Sequence, residues 1–335
     1  MPPHHSKRSV LITGCSNGGL GAALAEAFHE TGRWRVIASA RDLTKLQSLK
    51  GLKNGQEEDG IEQVQLDVVD EASVRAAVVA VRKLLADGND GRKDGEKVGL
   101  DAICLNAGGG YSMPLTDIPP FSPLLPAVFN LNVFSQLSIL NVFLPLLLAS
   151  SSCNSGKPLV IAHTSIAAHP NGNLPFTGAY NASKAAMSHL TQCLRTELGL
   201  LDIDVIELRT GGVRSQFYGN LQQGKARVPE GSIWETEGVK EVVEGLMDGE
   251  KFGAGFSERA EWAREIVRDV ENGTQKIIYR GSNAANVKWV GRLIPMWIYD
   301  MIMARMLGIG HLPGLLRAAL EGRSLVTEEE QDYQG

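Results

Sequence analysis

Two hydrophobic periods alternate along the first two-thirds of the chain. Ser9–Thr13, Trp34–Ala40, Ile61–Leu66, Leu100–Leu105, Leu159–His163 and Asp204–Leu208 are short apolar runs, and predict strands. Between them, Ala22–Thr31 (stopped by Gly32), Asp42–Lys50, Asp70–Asp87, Pro126–Ala149 and Tyr180–Leu201 predict helices. In Asp70–Asp87 the apolar residues Val74, Ala77, Val78, Val81, Leu84 and Leu85 recur at helical spacing. Short buried strands joined by helices require right-handed crossovers and a parallel sheet covered on both faces. The fold class is therefore α/β, with a doubly wound parallel sheet. After Gly211 the pattern turns helical, apart from a seventh candidate strand at Lys276–Tyr279. No Pro/Ser-rich linker interrupts the chain. Residues 1–285 therefore read as one domain with a substrate cap over roughly 214–275, and 286–335 as an apolar helical extension with an acidic tail.

Composition narrows the class. The 335 residues are 43% hydrophobic and 21% charged, which suits a globular chain and excludes a disordered one. A net charge of -5 gives no electrostatic case for nucleic acid. Cys15, Cys104, Cys153 and Cys193 form no CxxC pair, so neither a zinc site nor a disulfide framework is expected. The first ten residues, MPPHHSKRSV, carry no apolar signal region, and His4 and His5 read as tail. An intracellular, cytoplasmic location follows as the expectation. Gly51–Gly60, Gly88–Lys97 and Glu328–Glu330 are polar and read as solvated loops and tail. Leu131–Ala149 contains Asn132, Gln136, Asn141 and Pro145, so it reads as a buried helix rather than a span. Trp289–Ile309 contains Arg292, Pro295, Asp300 and Arg305 and also fails as a span. Pro295 is suited to start a helix there. That helix could cap the substrate mouth, form a homodimer, or lie in a membrane or lipid-droplet interface on its aromatic and basic residues.

The first strand runs into Thr13-Gly14-Cys15-Ser16-Asn17-Gly18-Gly19-Leu20-Gly21, which opens the first helix. Glycines allow a tight turn and a close backbone approach to a pyrophosphate seated over the helix N-terminus. A plain βα turn does not call for four of them. The end of the second strand selects the nucleotide: a carboxylate there serves the ribose of NAD, and an arginine the 2′-phosphate of NADP. Arg41 occupies that end, and no acid lies in the strand. Asp42 competes, but as the residue before a helix it is more simply an N-cap. NADP(H) is the expected cofactor.

Tyr180 and Lys184 lie four apart on a predicted helix and share a face. A free phenol has a pKa of about 10, and a nearby ammonium favours the phenolate. Ser165, fifteen residues earlier, follows the fifth strand, and strand ends converge on the ligand crevice. A hydroxyl there could bind a carbonyl oxygen while Tyr180 protonates it. His163 and His169 flank Ser165, but no GxSxG elbow is present, which argues against a hydrolase.

Taken together, these residues resemble the short-chain dehydrogenase/reductase superfamily, over residues 8–285. The motifs are TGCSNGGLG, Asp67 in LDV, Asn106-Ala107-Gly108, Asn132 in NLNVF, Ser165 in TSIAA, YNASK, and Thr210-Gly211-Gly212-Val213. The resemblance implies a Rossmann-type fold and a catalytic tetrad of Asn132, Ser165, Tyr180 and Lys184. It implies cofactor contacts from Gly14, Ser16, Gly18, Gly19, Leu20, Gly21 and Arg41, with Asp67 facing the adenine. Asn106 and Ala107 would stand beside the cofactor, Tyr180 and Lys184 would reach it, and Lys184 would hold the nicotinamide ribose. Gly211, Val213 and Ser215 would follow the sixth strand along it, and Asn132 would anchor a water of the proton relay. The glycine loop is one residue longer than the usual TGxxxGxG, the Ser–Tyr interval is about two residues longer than usual, and Thr210-Gly211 replaces Pro-Gly. These variants resemble a fungal-type branch that includes NADPH-dependent 1-acyldihydroxyacetone-phosphate reductases and 17-beta-hydroxysteroid-dehydrogenase-like enzymes.

The expected activity is reversible NADPH-dependent reduction of a ketone or aldehyde to an alcohol, with Tyr180 as general acid. The alternative is a catalytically silent NADP(H)-binding sensor or scaffold, which would not need an intact tetrad. Tyr111, Met113, Leu115, Phe121, Leu174, Phe176, Phe217, Tyr218 and Trp234 make the substrate loops apolar, which points to a lipid-like or polyketide-type substrate.

Overall fold

The computed structural model describes residues 7–49, 60–87, 98–150, 156–216, 226–249, 255–273, 275–289, 291 and 293–322. The sequence readings at 51–59, 88–97, His4, His5, Cys153, Phe217, Tyr218, Arg292 and Glu328–Glu330 lie outside them. Seven parallel strands form one sheet: β1 (Arg8–Ile12), β2 (Trp34–Ala40), β3 (Glu62–Gln65), β4 (Ala102–Leu105), β5 (Leu159–Ser165), β6 (Asp204–Thr210) and β7 (Ile277–Arg280). Their order is β3-β2-β1-β4-β5-β6-β7. Every residue of β4 and β5 is buried, which is why these strands read as unbroken apolar runs.

The described helices are α1 (Leu20–Glu30), α2 (Glu71–Asp87), α3 (Leu124–Phe129), α4 (Ser135–Ser150), α5 (Gly178–Gly199), α6 (Lys240–Met247), α7 (Arg259–Asn272), α8 (Ala284–Trp289), α9 (Met296–Leu307) and α10 (Leu312–Gly322). On one sheet face, α1 and α7 bury Leu24, Phe28, Trp262 and Ile266 against β1, β2 and β5. On the other, α2, α4 and α5 bury Val81, Phe143 and Met187 against Leu11, Ile103 and Val160. A third, smaller core joins α6 to α10 through Val239, Val243, Met247 and Leu312. Phe176 and Trp234 pack against it.

Three local expectations are corrected. Asp42–Lys50 is not an α-helix but a 3-10 helix over Leu43–Leu49. Its buried residues, Leu46 and Leu49, are three apart, and Lys45 N donates to Asp42 O, the i→i+3 pattern of that helix. The predicted Pro126–Ala149 helix begins at Leu124 and widens into a π-type turn at Asn130–Phe134 before α4. Strands β5 and β6 run two residues longer than expected, so Ser165 ends β5 and pairs with Thr210. Among the described residues, one helix, Leu124–Ser150, is long and apolar enough to cross a membrane. Half of that window is buried, and Ile139, Phe143 and Leu147 face the sheet core.

Candidate functional site

Strand β1 pairs with β2 on one side and β4 on the other, so the chain order reverses at β1. In open α/β sheets, ligands bind at the carboxyl ends of the strands beside such a reversal. Here Thr13 fixes the crevice: its Oγ1 accepts from Asn106 N at 3.0 Å and Ala107 N at 2.9 Å. Gly14 and Gly18 have φ of +73° and +72°, which favours glycine. A Cβ on Gly14 would lie 2.9 Å from Ala107 Cα. Ser16 O accepts from Gly19 N at 2.9 Å. Gly19 is the N-cap of α1 and offers no side-chain cap, and no acid lies in the first helical turn. Leu20 opens the helix and Gly21 sits against Gly14 O and the Asn106 amide. The positive end of the helix dipole therefore faces the crevice, as a pyrophosphate requires.

The segment after β6 closes over this loop. Gly211 N donates to Arg280 O at 2.8 Å, Val213 is buried, and Gln216 N donates to Gly18 O at 3.4 Å. Ser215 is thereby carried to the glycine loop. Gln216, whose side chain lies against Gly18, was not legible in sequence because no motif marks it. Cys15 is buried, its thiol donates to Ile12 O at 3.2 Å, and burial pushes its pKa up to about 12. It is a packing residue rather than a reactive thiol.

At the end of β2, Arg41 is exposed. The neighbouring Asp42 is committed to capping: its Oδ1 accepts from Thr44 N at 2.9 Å and Thr44 Oγ1 at 2.7 Å. These bonds hold its pKa below the ordinary carboxylate value. Asp67 is half-buried after β3, with its backbone N donating to Ser73 Oγ at 2.8 Å and its Oδ1 accepting from Val69 N at 3.2 Å. Asn106 Nδ2 donates to Thr13 O at 2.7 Å and to Gly14 O at 3.2 Å, so it props the glycine loop.

The four tetrad positions converge from three elements. Asn132 sits in the π-type turn; its Nδ2 donates to Gly109 O at 2.7 Å and Ser183 Oγ at 2.8 Å, and its Oδ1 accepts from Gly109 N at 2.9 Å. Ser183 donates in turn to Tyr180 O at 2.7 Å. Tyr180 is half-buried in the first turn of α5, and Lys184 Nζ lies 5.8 Å from its ring centre. Lys184 Nζ donates to His163 O at 3.0 Å, and burial lowers its pKa to about 8. Its charged form still predominates at neutrality. Ser165 Oγ accepts from Ala167 N at 3.1 Å and makes only a long 3.4 Å bond to Thr210 O, so its proton can turn to a ligand. A Cβ on Gly108 would approach Asn132 Oδ1 at 3.0 Å and Lys184 Nζ at 3.3 Å, so glycine there keeps the space between them open.

His163, weighed in the sequence only as a flank of Ser165, holds a different place in the structure. Its Nδ1 lies 2.8 Å from Asn106 Oδ1 and its Nε2 2.7 Å from Thr210 Oγ1. Asn106 uses its amide NH2 on the glycine loop, so its Oδ1 accepts from Nδ1–H, and Nε2 accepts from the Thr210 hydroxyl. Burial, then the Lys184 charge, lowers the His163 pKa to about 3 and keeps the ring neutral. One side chain thus joins the glycine loop, the end of β6 and, through its own carbonyl, Lys184.

At the start of α5 lies an apolar cavity of about 300 Å³, lined by Leu115, Leu174, Pro175, Phe176, Gly178 and Trp234. Phe176 and Trp234 meet edge to face at 5.3 Å, and Trp234 Nε1 donates to Thr116 Oγ1 at 3.1 Å. Four of the apolar residues expected to meet substrate therefore line one cavity. Phe121 does not: its side chain is wholly exposed at a backbone φ of 60°. The arrangement suits general acid–base chemistry next to a dinucleotide. The cradle fits that group through the glycine conformations and the uncapped α1 terminus.

Comparison with known proteins points the same way. A family model described as short chain dehydrogenase matches residues 8–226. A short-chain dehydrogenase/reductase of Pestalotiopsis microspora is 32% identical over 94% of this chain and 99% of its own. An NADPH-dependent 1-acyldihydroxyacetone phosphate reductase of Schizosaccharomyces pombe is 30% identical over 68% of each chain. The crystal structure of a short-chain dehydrogenase from Streptomyces avermitilis superposes with a TM-score of 0.63 at 22% identity, over 91% of this chain and 98% of that one, and shares the fold.

Proposed function

This chain belongs to the short-chain dehydrogenase/reductase family and is an oxidoreductase, and we propose that it uses NADPH to reduce the carbonyl of a lipid-like or polyketide-type substrate, or runs the reverse reaction. The observation that carries the reading is the linkage of Asn132 to the Tyr180 turn through Ser183, and of Lys184 to the end of β5, where Ser165 lies, through the His163 carbonyl. When bound, the nicotinamide supplies or accepts the hydride. The residues of this chain do the rest. Ser165 Oγ–H turns from its long bond and holds the carbonyl oxygen. Tyr180 gives its phenolic proton to that oxygen as it gains charge. The Lys184 ammonium, held by His163 O, favours the phenolate left behind. Asn132, fixed by Gly109 and Ser183, holds the wall along which a water can return the proton.

Arg41 supports the choice of NADPH, because its rival Asp42 is occupied by Thr44. The S. pombe relative is named for NADPH dependence, in agreement with that choice. The apolar lining supports a hydrophobic substrate. The test is Tyr180→Phe, which keeps the ring and removes the proton. NADPH binding, followed by nicotinamide fluorescence, should persist, while kcat on an acyl-ketone, steroid or aromatic aldehyde should fall by about 10² or more. Binding of NADPH with no turnover of any such carbonyl by the wild-type protein would favour a sensor instead.

A further inference from the structure

The outward side of α9 is an apolar surface that the fold does not cover. Trp289, Leu293, Trp297 and Met301 are between 61% and 83% exposed. On a 3.6-residue repeat, Trp297, Met301 and Arg305 fall on one line, turned away from Tyr299 and the buried Leu307, whereas Met306 falls on the Tyr299 side. Arg305 is the sole charge on that line. Asp300 is turned toward the Leu307 side. Just ahead, the Lys288 ammonium lies 5.0 Å from the Trp289 ring centre. From Lys288 to Ile309 the chain carries Lys288, Arg292 and Arg305 against Asp300 alone, a local excess of positive charge in a chain of net charge -5. Monomeric proteins rarely expose an apolar patch of this kind without a partner.

Two observations identify the partner. The first is the chemistry of the patch: exposed tryptophans and a methionine edged by lysine and arginine match the interface of a bilayer carrying anionic headgroups. A two-fold contact with a second copy would set this patch against itself and bring its like charges together. The second is continuity with the cavity. Tyr299 Oη donates to Asn173 O at 3.1 Å, and Asn171 Nδ2 donates to Gly291 O. Beyond α9, Ile309, Leu312 and Leu316 belong to the core against which Phe176 and Trp234 pack. The inner side of the exposed element thus backs the wall of the apolar cavity.

The geometry points to a peripheral docking surface for an anionic phospholipid bilayer, formed by the outward face of α9 with Trp289 and Leu293 ahead of it. Docked this way, the protein holds its apolar cavity near the acyl phase. That consequence rests on the carbonyl-reductase reading; the docking itself does not.

The test is flotation of the full chain with phosphatidylcholine vesicles made with and without phosphatidylserine. The variants are the double substitution Trp297→Glu with Met301→Glu, and Tyr180→Phe. The expected result is that the wild-type chain floats with the anionic vesicles, floats less with the neutral ones, and is released by salt. The double variant should lose about tenfold or more in partitioning while keeping its NADPH affinity, which shows that it is folded. Tyr180→Phe should float like the wild type, so loss of the catalytic reading leaves the docking result intact. Failure of the wild-type chain to float, or flotation of the double variant like the wild type, overturns the inference. So does light scattering that shows a dimer falling to a monomer in the double variant, because that assigns the face to a second copy.

Discussion

At the scale of single residues, the site depends on which side chains are already committed. Asp42 is bound to Thr44 and Arg41 is not held by it, so Arg41→Asp should erase or reverse a preference for NADPH over NADH. Charge-assisted contacts to phosphate make the expected shift about 1.5–3 kcal/mol, read as the ratio of kcat/KM for the two cofactors. Equal use of both by the wild-type protein would return the nucleotide choice to Asp42. Tyr180, Lys184, Ser165 and Asn132 were candidates in the sequence because each stands in a short local motif, although Asn132 meets Gly109 and Ser183 from 23 and 51 residues away. The role of His163 was not legible. Its partners, Asn106 and Thr210, lie 57 and 47 residues away, and only the strand register brings them together. A histidine two residues before a serine carries no sign of that.

Among elements, the far edge of the sheet is tied down by one buried charge network. The Glu207 side chain on β6 is fully buried and pairs with Arg209 at 2.8 Å. It accepts from Thr164 on β5 at 2.8 Å and Gln192 on α5 at 2.6 Å. Arg209 reaches on to Tyr279 on β7 at 2.7 Å and Ser188 on α5 at 2.8 Å. Removing one partner of a buried pair leaves the other charge uncompensated, so Glu207→Ala should cost about 3–5 kcal/mol in urea unfolding. A loss below about 1 kcal/mol would mean that the pair adds little, as surface pairs do. The strands were readable because each is an apolar run between helices. The π-type turn at Asn130–Phe134 was not, because a single widened turn leaves the helical apolar spacing almost unchanged. The 3-10 helix at Leu43–Leu49 escaped for a related reason: two leucines three apart fit either helix type until the Asp42–Lys45 backbone bond is seen.

For the whole molecule, the neutral His163 sets a pH dependence of stability. Its pKa is about 3 in the fold against 6.5 ordinarily. Below pH 6.5 the unfolded chain takes up a proton that the folded chain refuses until about pH 3. The stabilisation is therefore full above 6.5 and is lost as pH falls toward 3, by up to about 1.4 kcal/mol per pH unit. Urea midpoints taken on either side of pH 6.5 should fall on the acid side in the wild-type protein, and His163→Gln should flatten that slope. An unchanged slope would assign the acid sensitivity to other groups. The strand order has a further consequence, for folding. Val10 pairs with Val36 soon after both are made, but its other neighbour is Ala102. An interior strand of the finished sheet, β1, is therefore an edge strand while the chain is being synthesised, with one row of amides and carbonyls open to pairing with any other strand. Pairings that distant in sequence form slowly. The interval before β4 arrives is the period when a nascent chain is most exposed to aggregation, and β1, which carries the glycine loop, is the strand that a holding chaperone would have to shield.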